Sequence, residues 1–232
     1  MSFLDVQTQR ATLTLAVVCG LAAMSLPAVS QAGNVGYFTC SFDPVGIPAA
    51  ITAAGHTPVA VNSLDAASLA PLNGLVIACQ SYTANPAVNN AVSNGMALFV
   101  EDRFVPSGIG ASLPGSPALV VDTYTTSGST YCPTNADLAS GSPIASGPGG
   151  ALTDSSLDNN GPACSPMGYA TSASLPAGAV PLLTTGNANE VGAFGYTYGS
   201  GRVVFSISQY IYGNAYFPGA GTYFTNTIAW LV

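Results

Sequence analysis

The chain has 232 residues, 48% of them hydrophobic and only 6% charged, with three Lys plus Arg against ten Asp plus Glu and a net charge of −7. All three cations are arginines (Arg10, Arg103 and Arg202), so the chain contains no lysine. It can bury a full core, but it offers phosphate no basic surface and anionic lipid no polybasic patch, which excludes nucleic acid and an electrostatically bound membrane as partners.

Arg10 precedes a small and apolar run from Ala11 to Leu26, which Pro27 interrupts. The run is too short for a spanning helix. Ser30-Gln31-Ala32 then puts small residues at the two positions a signal peptidase reads. Residues 1–32 are therefore expected to be a secretory signal, with Gly33 as the new N-terminus and no membrane span after its removal. A retained N-terminal anchor is the alternative, and the Ser-x-Ala site argues against it. The expected location is the periplasm, the cell surface or the extracellular space. Cleavage would remove Asp5 and Arg10 together and leave the net charge unchanged.

From Gly33 onward, strand and helix patterns alternate. Gly36 to Cys40 reads as a strand, Pro48 to Ala54 as a short helix closed by Gly55, and Pro58 to Asn62 as a second strand. Leu64 to Leu69 is a short helical or turn segment. Leu75 to Cys79 is a nearly continuous apolar strand after the Asn73-Gly74 turn. Asn85-Pro86 opens another helix, which Asn94-Gly95 ends, and Met96 to Val100 is a further apolar strand. Apolar strands separated by helices predict a mostly parallel sheet covered on both faces.

A loop-rich insertion follows, from about residue 106 to 180, rich in Gly, Ser and Pro. Within it Ala118 to Tyr124 is expected to be a strand centred on Leu119-Val120-Val121. Asp154, Asp158, Asn159 and Asn160 form a candidate calcium loop, but the spacing departs from the EF-hand and a solvated turn is the default. Regularity returns with strands at Pro181 to Thr184, Val191 to Tyr198 and Arg202 to Ser208, the last two joined by Gly199-Ser200-Gly201. A closing helix spans Tyr223 to Leu231. About 200 residues after the signal suit one domain, 33–232.

Cys19 belongs to the signal, and four cysteines remain: Cys40, Cys79, Cys132 and Cys164. An even count in an exported chain suggests two disulfides, with three pairings open. Cys40 and Cys79 each end an apolar run and would lie side by side if those runs are neighbouring parallel strands. Cys132 and Cys164 would then close the insertion. A reactive thiol at Cys79 is the rival reading, and the wide spacings disfavour a metal. No metal or other cofactor is expected.

Three stretches together resemble the class I glutamine amidotransferase-like superfamily, especially its non-catalytic and trehalose-utilisation-like branches. They are Ala53-Ala54-Gly55-His56-Thr57-Pro58-Val59; Asn73 to Ala78 with Asn85 to Val88 and Asn94 to Val100; and Tyr198 to Phe205 with Asn226 to Trp230. The resemblance implies a flavodoxin-like three-layer α/β sandwich with a C-terminal β-hairpin and helix. Catalytic members carry a cysteine on a Gly-flanked turn after the strand that here is Met96 to Val100, and a histidine downstream. This chain has Glu101-Asp102-Arg103 at that place, and its one histidine, His56, lies upstream. The resemblance therefore carries no catalytic residue over.

A nucleophile needs a base within reach, so one misplaced histidine and no lysine argue against serine or cysteine hydrolysis. His56 is expected to be a solvated turn residue. In an open parallel sheet, ligands bind at the carboxyl ends of the strands. Those ends carry Asp43, Gln80, Ser81, Tyr82, Glu101, Asp102, Arg103 and Gln209 as ligand-binding candidates. Glu101 and Asp102, being adjacent on an extended backbone, should point to opposite sides. One would face the crevice and the other would pair with Arg103.

Tyr196, Tyr198, Tyr210, Tyr212, Tyr216 and Tyr223 crowd the C-terminal part, where they would stack on sugar rings, form a contact between protomers or pack a β-rich edge. The leading expectation is an exported non-catalytic binding or structural module, taking a glycan or another polar small molecule. The alternatives are a glycan hydrolase acting through Asp102 or Glu101, and a self-assembling surface or filament subunit.

Overall fold

The computed structural model describes residues 32–39, 46–78, 82–102, 109–122, 136–158, 168–208, 210 and 218–232. The first half is a run of β/α units: β1 (Asn34–Thr39), α1 (Ile47–Ala53), β2 (Thr57–Ala60), α2 (Ala66–Leu69), β3 (Gly74–Ala78), α3 (Pro86–Ser93) and β4 (Ala97–Glu101). Punctuation residues set the helix limits. Asn85 caps α3 by accepting from the Ala87 and Val88 amides at 2.9 and 3.1 Å. Pro86 opens that helix, and Gly95, at φ +117°, turns the chain out of it.

The second half contributes β5 (Val121–Asp122), β6 (Asp137–Leu138), β7 (Ser146–Gly147), β8 (Gly150–Ala151), α4 (Asp154–Leu157), β9 (Tyr169–Thr171), β10 (Val180–Thr184), β11 (Glu190–Tyr198), β12 (Gly201–Ser206) and α5 (Ala220–Leu231). The main sheet runs β2-β1-β3-β4-β12-β11-β10-β6. The strands from β2 to β12 pair in parallel, and β11, β10 and β6 continue the sheet antiparallel. This is a three-layer α/β sandwich with a mostly parallel centre and a β11–β12 hairpin leading to α5. At the β2 edge, the Thr57 and Val61 amides donate inward to the Gly33 and Tyr37 carbonyls, so Pro58 and Ala60 have their backbone nitrogens on the outer rim.

Alternation along each central strand sends side chains to two cores. Val76, Phe99 and Val204 face α1 and α5 together with Ile51, Phe224 and Ile228. Leu75, Ile77, Leu98, Val100, Val203 and Phe205 face α2 and α3 together with Val88 and Val92. Each fully buried side chain of this size stabilises the fold by roughly 1.5–3 kcal/mol. Close approach fixes the hairpin against α3: a Cβ at Gly201 would overlap the Val92 carbonyl and lie 2.5 Å from that of Met96.

The insertion is more structured than its composition suggests. Asn226, 2% exposed on α5, accepts from the Gly149 amide at 2.9 Å. Its Nδ2 donates to the Ile144 and Gly150 carbonyls at 3.0 and 2.9 Å, which clips the β7–β8 hairpin onto the helix. Asp154 and Asp158 accept from the Leu138 and Ala136 amides at 2.8 and 3.1 Å. These two carboxylates therefore anchor the β6 segment, Asp154 from an exposed position. Asn159 and Asn160 lie outside the described residues.

The strand expected over Ala118 to Tyr124 is described in part. Among the described residues of that stretch, 118–122, Val121–Asp122 pairs with β9; residues 123 and 124 lie outside the described residues. Leu119 and Val121 pack on the core while Val120 between them is 61% exposed, so the segment is a one-sided edge. Cys40, Cys79, Cys132 and Cys164 lie outside the described residues, although the register sets Thr39 opposite Ala78, one residue before Cys40 and Cys79.

Asn226→Leu keeps the volume but leaves one amide and two carbonyls without their partner. It should lower unfolding free energy by about 2–4 kcal/mol, measured by urea denaturation.

The carboxyl-end corner of the sheet

β4 ends the way its pattern dictates, with four apolar residues followed by a carboxylate. Glu101 continues the face of Ala97 and Phe99, while Asp102 continues that of Leu98 and Val100. The two carboxyl groups do point apart, and both are 0% exposed. Asp102 Oδ2 accepts from the Tyr82 amide at 2.8 Å, and its own amide donates to the Ser206 carbonyl at 3.0 Å. Asp102 thus fastens the chain after β3 to the end of β4 and the end of β12.

Glu101 terminates a chain of buried hydroxyls. Tyr223 Oη donates to Ser206 Oγ at 2.8 Å, Ser206 Oγ lies 2.8 Å from Ser208 Oγ, and Ser208 Oγ donates to Glu101 Oε1 at 3.0 Å. Ser208 has one proton and directs it at the carboxyl group, so Ser206 is the donor in the middle link. Every proton then points from α5 toward β4. The Tyr223 ring is held by Phe99 at 6.1 Å, edge-on, and by Tyr210 at 4.8 Å. Tyr210 Oη donates to the Leu157 carbonyl at 3.1 Å. Burial raises the Tyr210 and Tyr223 phenols well above the ordinary tyrosine range.

Among the candidate residues, the structure joins Tyr82 to Asp102 and turns Glu101 to the opposite core; Asp43, Gln80, Ser81, Arg103 and Gln209 lie outside the described residues. Tyr82 is 3% exposed, its hydroxyl has no hydrogen-bond partner among the described residues, and burial pushes its phenol up to about 12. Sequence reasoning missed Ser206 and Ser208, and it named Tyr223 among the clustered tyrosines without a place at this corner. The signal available was weak: Ser206 and Ser208 alternate at the end of an apolar strand, which places both hydroxyls on one face. Of the clustered tyrosines, Tyr196, Tyr210 and Tyr223 are buried packing residues, while Tyr212 and Tyr216 lie outside the described residues.

His56 is not the solvated residue expected; it is 5% exposed. It lies at the opposite edge of the sheet, just before β2, where Nδ1 accepts from the Gly33 amide at 3.2 Å. Burial lowers its affinity for a proton. A base for chemistry at Glu101 or Asp102 therefore does not come from the chain's single histidine.

An open groove of about 580 Å³ lies elsewhere, between residues 114–118, 173–176 and the end of β11. Pro114, Pro117 and Pro176 stiffen its rim, Tyr198 presents a half-buried ring, and no charged residue lines it among the described residues. Ser116 on that rim has φ +47°, the one positive value away from glycine among the described residues.

No family profile matches the sequence, and no curated protein matches it. Solved structures do share its architecture. A cytoplasmic protein of Salmonella typhimurium superposes with a TM-score of 0.50 at 12% identity, over 85% of this chain and 98% of that one. A Thermoplasma acidophilum protein, provisionally described as part of a GMP synthase, gives 0.45 at 10% identity, over 85% and 93%. The β-galactosidase of Rahnella sp. R3 gives 0.47 at 11% identity, over 85% of this chain but 31% of that one. The likeness to the Salmonella protein is one of fold.

Removing the orphaned hydroxyl with Tyr82→Phe should leave stability unchanged or raise it by up to about 1 kcal/mol, whereas Tyr223→Phe, which breaks the relay, should lower it by about 1 kcal/mol. The folded chain keeps its buried phenolic protons to higher pH than the unfolded chain does. Stability present below about pH 10 should therefore fall as pH rises toward 12, and Tyr82→Phe should soften that fall in denaturation midpoints taken across the range.

Proposed function

We propose that this chain is an exported, non-catalytic binding or structural module of the glutamine amidotransferase-like kind. The observation that carries the reading is the enclosure of Glu101 and Asp102, both 0% exposed and both engaged by protein hydrogen bonds at the corner where catalytic members present their nucleophile. The remote position of His56 supports the same conclusion. Glycoside hydrolysis needs two carboxyl groups flanking a sugar bond with water at hand, and buried groups aimed into separate cores do not offer that. The ligand-facing surface in this reading is the uncharged groove beside Tyr198, whose chemistry suits a neutral saccharide stacked on the ring. Export is inferred from residues 1–32 and from the four cysteines after them, with bridges 40–79 and 132–164.

The mature protein should bind neutral oligosaccharides on a glycan array without cleaving them. Tyr198→Ala should weaken that binding by about tenfold or more. Turnover of any arrayed glycan that Asp102→Asn abolishes would favour the hydrolase alternative. Large particles in light scattering, without glycan binding, would favour the self-assembling one. Non-reducing peptide mapping of exported protein should link 40 with 79 and 132 with 164.

A further inference from the structure

The amino edge of the sheet contains a small receptor that the proposed function does not use. Gly33 is half-buried, and its carbonyl accepts from the Thr57 amide at 2.9 Å. Its amide donates to His56 Nδ1 at 3.2 Å. A Cβ at this position would lie 2.8 Å from Asn73 Oδ1 and 2.9 Å from Asn73 Cβ, so any larger residue would force Asn73 to shift. Asn73 Oδ1 in turn holds the Asn34 amide at 3.0 Å. Because Nδ1 is the acceptor, a neutral His56 has its proton on Nε2, which is buried with no partner among the described residues. Among the described residues the ring thus has one polar contact, and it is aimed at the nitrogen of Gly33. Ala32, directly before it, is exposed.

We infer that the Ala32–Gly33 bond is a processing site and that His56 is the receptor for the α-amino group that cleavage creates at Gly33. This rests on the export reading above. A signal peptidase adds water across the amide: the Ala32 carbonyl carbon takes the hydroxyl, the C–N bond breaks, and the Gly33 nitrogen takes the proton. The nitrogen already faces an imidazole acceptor, and as an ammonium it makes a stronger, charge-assisted bond than the amide did. No side chain in α1, β1, β2 or residues 71–73 carries a carboxylate that would draw the ammonium away. The residue types fit one another: a small residue for the peptidase at position 32, a glycine for the pocket at position 33, and a buried acceptor at position 56.

The absence of lysine makes the test direct, because the processed chain has a single primary amine. The full chain is expressed in a secreting bacterial host, and the exported product is sequenced from its N-terminus. It is then labelled with an amine-reactive ester, both folded and in urea. An ammonium held on His56 lacks the lone pair that attacks the ester. The expected result is a chain that begins at Gly33 and labels about tenfold more slowly when folded than in urea. In His56→Ala the folded rate should approach the urea rate. Should that variant fail to fold, the wild-type ratio alone decides. A chain that begins at Gly33 but labels equally in both states overturns the receptor and leaves the processing site standing. A chain that is exported with another N-terminus overturns the processing site, and one retained uncleaved in the cytoplasm overturns the export reading itself.

Discussion

The register of the central strands governs the rest of the molecule. β1, β3, β4 and β12 lie side by side in parallel, with apolar side chains on both faces, so neither face of the sheet centre is available for polar chemistry. Polar groups are confined to the strand ends. At the carboxyl end sit Glu101, Asp102, Ser206 and Ser208; at the amino end sit Gly33, His56 and Asn73. Each set is bonded internally, and the two are separated by the length of the strands. A histidine at one edge cannot serve carboxylates at the other, and that separation follows from chain order and strand direction alone.

Much of this order was legible in the sequence. Continuous apolar runs such as Leu75-Val76-Ile77-Ala78, bracketed by Asn-Gly and Asn-Pro, can satisfy both faces of a parallel strand but not a one-sided hairpin. The opposite directions of Glu101 and Asp102 followed from a two-residue period. Their depth did not, because burial depends on what closes over the strand end, and the partners Ser208 and Tyr82 come from 107 and 20 residues away. His56 was misread for a similar reason. A histidine at a helix-to-strand turn is ordinarily wet, but the N-terminal segment runs across it, and that contact spans 23 residues.

The insertion shows where composition misleads. Gly147-Pro148-Gly149-Gly150 reads as loop, and by local propensity it is. Its order is imposed from outside by one amide side chain on α5 that meets three backbone groups. Asp154 and Asp158 act alike on the β6 segment. Polar residues that would mark a ligand site by type are here used to fasten irregular backbone, which must find hydrogen-bond partners wherever it is covered.

The rim formed by β2 has a further consequence. An exposed strand edge invites another chain to add to it, and proteins commonly discourage this with lysine or other charge. This sequence has no lysine and almost no charge to station there. With its ring nitrogen facing outward, Pro58 removes a donor from the middle of a four-residue strand, so an incoming strand would meet a gap in the ladder. In a chain with so little electrostatic repulsion, the proline at this rim opposes growth of the sheet by steric and hydrogen-bond means.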